Sequence, residues 1–112
     1  MTTHLPNGDR AIFDIRKIED YCLSVEHPRG RHKARIFREA LGIERVDAAV
    51  LRGEFLEAAR TGVASPAGED EWSSRWQVDV AISRQDKRAV VTTIWMARAD
   101  EQVPRFVTCW VL

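Results

Sequence analysis

The apolar residues of this chain change their period once, and that change sets the fold class. Up to about Gly62 they recur at helical spacing, and from Trp76 they alternate one by one. Helices therefore come first and strands last. The class is α+β, with N-terminal helices packed on one face of a three- to four-stranded antiparallel sheet.

The helical part divides at glycine and proline. Asp14 is placed to cap a helix running to Leu23, with Ile15, Ile18 and Cys22 on one face and Tyr21 close to it. Glu26-His27-Pro28-Arg29-Gly30 reads as a loop, because Pro28 disfavours helix at His27 and Gly30 breaks the pattern. A second helix is expected over Arg31–Leu41, with Ala34, Phe37 and Leu41 inward and Gly42 as a left-handed cap. A third is expected from an Asp47 cap to Gly62. Val46 and Leu51 hold the positions of a hydrophobic staple, and Leu51, Phe55, Ala58 and Ala59 form the inward stripe. Val63–Glu71 reads as a loop.

The second part reads as three strands in a meander. Trp76, Val78, Val80 and Ile82 form the inward side of the first. Ala89–Ala97 and Arg105–Val111 are the second and third, joined by short polar turns. Arg10–Phe13 can add a short edge strand. If Val90, Thr92, Ile94 and Met96 pack inward, and Val107, Cys109 and Val111 likewise, the alternate residues of both strands point outward. Thr93, Trp95, Thr108 and Trp110 then share an outer face, where indoles can stack bases and hydroxyls can meet phosphate. The competing reading is that the tryptophans fill the core.

A chain of 112 residues with 45% apolar content suits one domain. Residues 1–9 read as a disordered start and residues 10–112 as the domain. The apolar runs, Ala89–Val91 among them, are far too short for a membrane span. Cys22 and Cys109 cannot build a disulfide framework or a cysteine-only metal site, and read as buried thiols of a cytoplasmic protein. No Gly-rich phosphate loop, metal-ligand spacing, nucleophile elbow or dinucleotide fingerprint occurs, so neither metal nor cofactor is expected.

Net charge is zero, yet Arg29, Arg31, Lys33, Arg35 and Arg38 cluster with His32 and without an acid among them. At a helix start, side-chain charge and free backbone N–H groups together favour an anion such as phosphate. The plain alternative is a solvated helix face. His27 and His32 flank the patch, and an imidazole can serve as general base or acid. RNA cleavage by the 2′-OH needs a base, an acid and cations for the charged transition state. Equally, His27 can cap its loop and His32 can face solvent. His4 has no role in this scheme.

The stretches Lys17–Leu23, Glu26–Phe37 and Ala40–Gly42, with Ile94-Trp95 and Val103–Thr108, resemble an uncharacterised bacterial domain. That domain also occurs at the C-termini of polymorphic secreted toxins. The likeness runs from about Leu5 to Leu112, and its core is His27-Pro28-x-Gly30-x-x-Lys33-Ala34. It implies the barnase/EndoU/colicin/RelE-like ribonuclease group, which pairs N-terminal helices with a four-stranded sheet and cleaves RNA without metal. The toxin motif's histidine, glycine and lysine fall on His27, Gly30 and Lys33. Its tryptophan, arginine and threonine fall on Trp95, Arg105 and Thr108.

The resulting expectation is a metal-independent ribonuclease, a toxin of toxin–antitoxin or polymorphic-toxin type. His27, Lys33, Arg105 and Thr108 would be catalytic, and Arg29, Arg31, His32, Thr93 and Trp95 would bind substrate. The partners would be RNA, with tRNA a candidate, and an antitoxin or immunity protein; no membrane is involved. The alternative is a non-catalytic RNA- or protein-binding module, such as an inactive relative or an immunity-type protein.

Overall fold

A computed structural model describes residues 3–112. Helix α1 spans Gly30–Leu41 and α2 spans Ala48–Thr61. Strands β1 (Ala64–Glu69), β2 (Ser73–Arg84), β3 (Lys87–Arg98) and β4 (Pro104–Val111) follow. They form one antiparallel meander in sequence order, β1-β2-β3-β4. The α+β order expected from the change of period is the observed one. Among the described residues no helix is long and apolar enough to cross a membrane.

Helix α1 buries Ala34, Phe37 and Leu41 and ends at Gly42, whose φ of 64° is the left-handed cap. Helix α2 buries Ala48, Leu51, Phe55 and Ala59. Its entry differs from expectation. The Asp47 carboxylate turns back to accept the Glu44 N–H at 3.0 Å and pairs with Arg84 at 3.0 Å on β2. Val46 is 90% exposed, so no staple forms with Leu51.

The expected helix from Asp14 is short and irregular: an opening helical turn at Arg16 and Lys17 passes into a single π-helical turn, Ile18–Cys22, in which the Leu23 N–H reaches the Ile18 carbonyl at 2.8 Å. Asp14 caps this short helix as expected, its carboxylate accepting the N–H of Arg16 at 3.0 Å. Ile18, Cys22 and Leu23 are nevertheless buried, as their spacing indicates. Arg10–Phe13 contributes one bridge, with Ile12 beside the start of β4.

Val63–Glu71 was expected as a loop, yet most of it is β1. This edge strand buries only Ala64, carries Pro66 and Gly68, and slips register between Pro66 and Glu69. It has no apolar alternation to betray it. Of the expected disordered start, Met1 and Thr2 lie outside the described residues. Thr3–Asp9 is packed against the domain. The Thr3 carbonyl accepts the Ala64 N–H at 2.8 Å, Leu5 is buried, and a Cβ at Gly8 would lie 1.8 Å from the Ala59 carbonyl oxygen.

The largest correction concerns which side of the sheet is the core. Val91, Thr93 and Trp95 point inward, opposite Val111, Cys109 and Phe106. A bulge makes this possible. Ile94 faces Thr108 while Trp95 faces Phe106, leaving Val107 without an opposite residue. The bulge shifts the phase of β4, so Phe106 and Cys109 are both buried although three positions apart. Trp95 meets Phe106 edge-on at 5.5 Å, and Phe13 and Phe55 stack on Phe106 at 4.4 and 5.7 Å. Buried Thr93 donates to the Val78 carbonyl at 2.7 Å and accepts the Trp95 indole N–H at 2.9 Å. Both polar groups are thereby satisfied inside the core.

Phe106→Ala should lower unfolding free energy by about 3–5 kcal/mol. Val46→Ala should stay within about 0.5 kcal/mol. Urea midpoints decide the matter, and a costly Val46→Ala would restore the staple. The Arg84 guanidinium, with help from the Glu44 N–H, holds the Asp47 carboxyl below its ordinary range. A lowered folded-state pKa gives stability that is present at neutral pH and lost as pH falls below about 4. Asp47→Asn should therefore flatten the acid limb of the stability–pH curve; an unchanged limb contradicts the ion pair's contribution.

Candidate functional site

Gly30 begins α1 directly against the π turn. A Cβ there would sit 1.9 Å from the Tyr21 carbonyl oxygen, so only glycine lets the loop return this closely. His27 closes the same loop. Its Nδ1 accepts the N–H groups of Arg29 and Gly30, each at 3.0 Å, and its carbonyl accepts that of Arg31. The Ser24 hydroxyl in turn accepts the His27 N–H at 3.2 Å. His27 is thus the cap of α1, and the N–H groups of Arg29, Gly30 and Arg31 are already engaged rather than free for an anion. With Nδ1 accepting, the neutral ring carries its proton on Nε2.

One turn into α1, Lys33 crosses to the sheet. Its Nζ donates to Thr108 Oγ1 at 3.0 Å and lies 5.3 Å from the centre of the Tyr21 ring. The edge of the His27 ring meets Tyr21 at 4.7 Å. Tyr21, His27, Lys33 and Thr108 are all partly exposed, so the cluster opens to solvent between α1 and β4. Beneath it Cys22 and Cys109 lie with their sulfurs 3.7 Å apart. A hydrogen bond from Cys109, the Lys33 ammonium and the Thr108 hydroxyl outweigh burial and bring the Cys22 thiol down to about 7. Its partnership with Cys22 and its own burial push Cys109 up.

The structure therefore gathers three residues expected at the site, His27, Lys33 and Thr108, and separates the others. Arg105 is engaged elsewhere, its guanidinium held by both oxygens of Glu101 at 2.9 and 3.0 Å. Among the described residues no hydrogen bond or ion pair joins Arg105 to His27, Lys33 or Thr108. Thr93 and Trp95 belong to the core and present nothing to a base. Arg29, Arg31 and His32 are exposed.

Sequence reasoning missed two participants. Tyr21 supplies the ring that Lys33 and His27 share. Lys17 adds a second ammonium, bonded to the Phe106 carbonyl at 2.9 Å on β4. Both lie in the stretch Lys17–Leu23, but nothing in their spacing reports that Tyr21 meets Lys33 or that Lys17 reaches a residue almost 90 positions later.

A second feature lies on the other flank of α1. Arg31, Arg35 and Arg38, at helical spacing, line a groove of about 700 Å³ facing Arg45 and Val46. Leu23 and Ala34, both buried, also line it, and Val25 and Val46 are 71% and 90% exposed. Asp20 is paired with Arg45 at 3.0 Å, whereas among the described residues no ion pair engages Arg31, Arg35 or Arg38.

The model of one family, a domain of unknown function (DUF6883), matches residues 4–112, and the chain belongs to that family. No curated protein and no solved structure matches it.

His27→Ala should cost about 1 kcal/mol, because two helix N–H groups lose their acceptor. His27→Asn keeps an acceptor within reach and should recover most of the loss. Thermal unfolding of the two variants gives the comparison, and equal losses would show that capping is not what His27 contributes.

Proposed function

We propose that this member of the DUF6883 family is a metal-independent endoribonuclease, acting as a toxin held in check by an antitoxin or immunity protein. The observation that carries the reading is the Lys33–Thr108 pair at 3.0 Å, beside His27 and open to solvent. A cation and a hydroxyl so placed can bind two oxygens of one phosphodiester. The domain's resemblance to toxin ribonucleases, with His27, Lys33 and Thr108 at their motif positions, supports the same reading.

The reaction is attack of the ribose 2′-oxygen on phosphorus with departure of the 5′-oxygen. Lys33 stabilises charge that grows on the phosphoryl oxygens, and Thr108 fixes their orientation. The second ammonium, Lys17, strengthens the positive field along β4. His27 offers its Nε2–H to the phosphate or the leaving oxygen. It can act as a base only when its ring releases the start of α1, so structural and chemical roles compete for one imidazole. Arg105 can reach an anion only by leaving Glu101, whose carboxyl it holds below the ordinary range.

A second reading rests on the arginine groove. Arg31, Arg35 and Arg38, with the exposed Val25 and Val46, suit an acidic protein segment carrying an apolar side chain. Asp20, Glu26 and Glu44 in the same groove disfavour a continuous phosphate chain. On this reading the domain is a protein-binding module without catalysis.

The deciding experiment incubates the purified protein with an RNA oligonucleotide and its DNA counterpart, in the presence of chelator. Cleavage confined to RNA, with 2′,3′-cyclic phosphate ends, is expected. Lys33→Ala should slow it by about 100-fold or more. His27→Asn should slow it comparably while remaining folded, which separates proton transfer from capping. Intact RNA with folded wild-type protein, together with growth of cells expressing it, would leave the binding module as the better account.

A further inference from the structure

Two thiols that the proposed chemistry does not use lie directly beneath the Lys33–Thr108 cluster. Cys22 ends the π turn and Cys109 sits just past the β4 bulge, 87 positions later. They are the only cysteines of the chain, both are buried, and their sulfurs are 3.7 Å apart. We propose that Cys22 and Cys109 form an oxidative modification site, at which a hydroperoxide converts the pair to an intramolecular disulfide.

The geometry leaves little to rearrange. A disulfide needs its sulfurs at about 2.0 Å, so the two must approach by about 1.7 Å. The elements that carry them can give that much. The π turn is a single turn, closed by the bond from the Leu23 N–H to the Ile18 carbonyl. The bulge already interrupts the ladder beside Cys109.

The electrostatics name the attacking sulfur. The Cys109 thiol, the Lys33 ammonium and the Thr108 hydroxyl all favour a thiolate on Cys22. That thiolate attacks the terminal peroxide oxygen; the O–O bond breaks, and hydroxide leaves and takes a proton. Cys22 is then a sulfenic acid. Cys109, deprotonated as it reacts, attacks the Cys22 sulfur and displaces the oxygen as water. In sum, two thiols and one hydrogen peroxide give one disulfide and two waters. Both sulfurs are covered, so a reagent of nearly water size is the suitable oxidant, and bulky disulfides should react slowly.

The bond would tie the π turn to the last strand. Tyr21 and Thr108, the two contacts of Lys33, each adjoin one of the sulfurs in sequence. The cross-link therefore fixes the floor of the cluster. The two sulfurs lie together whether or not the cluster cleaves RNA.

The test treats the reduced, full-length protein with hydrogen peroxide. It is then denatured in excess maleimide and examined by intact mass. The expected product is a monomer that has lost two hydrogens and takes up no maleimide, and reductant restores two labels. Cys22→Ala and Cys109→Ala, checked for fold by circular dichroism, should form no such product. If either fails to fold, peptide mapping of the wild type for the 22–109 linkage replaces it. Two maleimides on the treated protein, oxygen addition without loss of two hydrogens, or cross-linking only between molecules would overturn the proposal.

Discussion

The one-residue bulge at Val107 is the constraint on which the rest of the structure depends. A strand with strict alternation can place Phe106 or Cys109 in the core, but not both. With Val107 left out of the pairing, Phe106 enters the cluster of Phe13, Phe55 and Trp95, and Cys109 reaches Cys22. Thr108, between the bulge and Cys109, comes within 3.0 Å of Lys33. Core and candidate site are therefore set by the same irregularity. Bulges recur where a strand must re-aim a side chain, and this one re-aims several.

Much of this was legible in the amino-acid sequence. Helix α1, its inward residues and its Gly42 cap follow from spacing and from glycine's freedom at positive φ. The inward side of β2 follows from alternation. The inward side of β3 does not, because Val90 to Met96 is apolar or β-branched on both faces and either set can pack. Register comes from the partner strand, and the bulge that sets it has no local signature. β1 was missed because an edge strand with one buried side chain need not look like a strand. The π turn was read as an ordinary helix since both bury Ile18 and Cys22.

The site was legible in part for a related reason. His27, Gly30 and Lys33 lie close in sequence, and their juxtaposition is a property of one loop and one helix turn. Thr108 was expected on an outward face, yet its hydroxyl accepts a hydrogen bond from the Lys33 ammonium at 3.0 Å. Arg105 was expected beside them, yet its guanidinium is held by the carboxylate four positions before it. His27 carries two demands in one ring: it completes the start of α1, and it packs on the Tyr21 ring that Lys33 also meets. The cap fixes the ring's tautomer, so local folding chemistry determines which proton the side chain can offer.

The untidy first strand governs how the molecule behaves among its own copies. Open sheet edges recruit further strands, and long flat ones lead to fibres. Here Pro66 removes a donor, Gly68 bends the backbone at φ 120°, and the register slips between them and β2. Nearly all of β1's side chains face water. A neighbouring chain finds no straight ladder to join, and the sheet ends there by construction. Regularising this strand, by replacing Pro66 and Gly68 with β-branched residues, would exchange a colloidally quiet edge for an adhesive one.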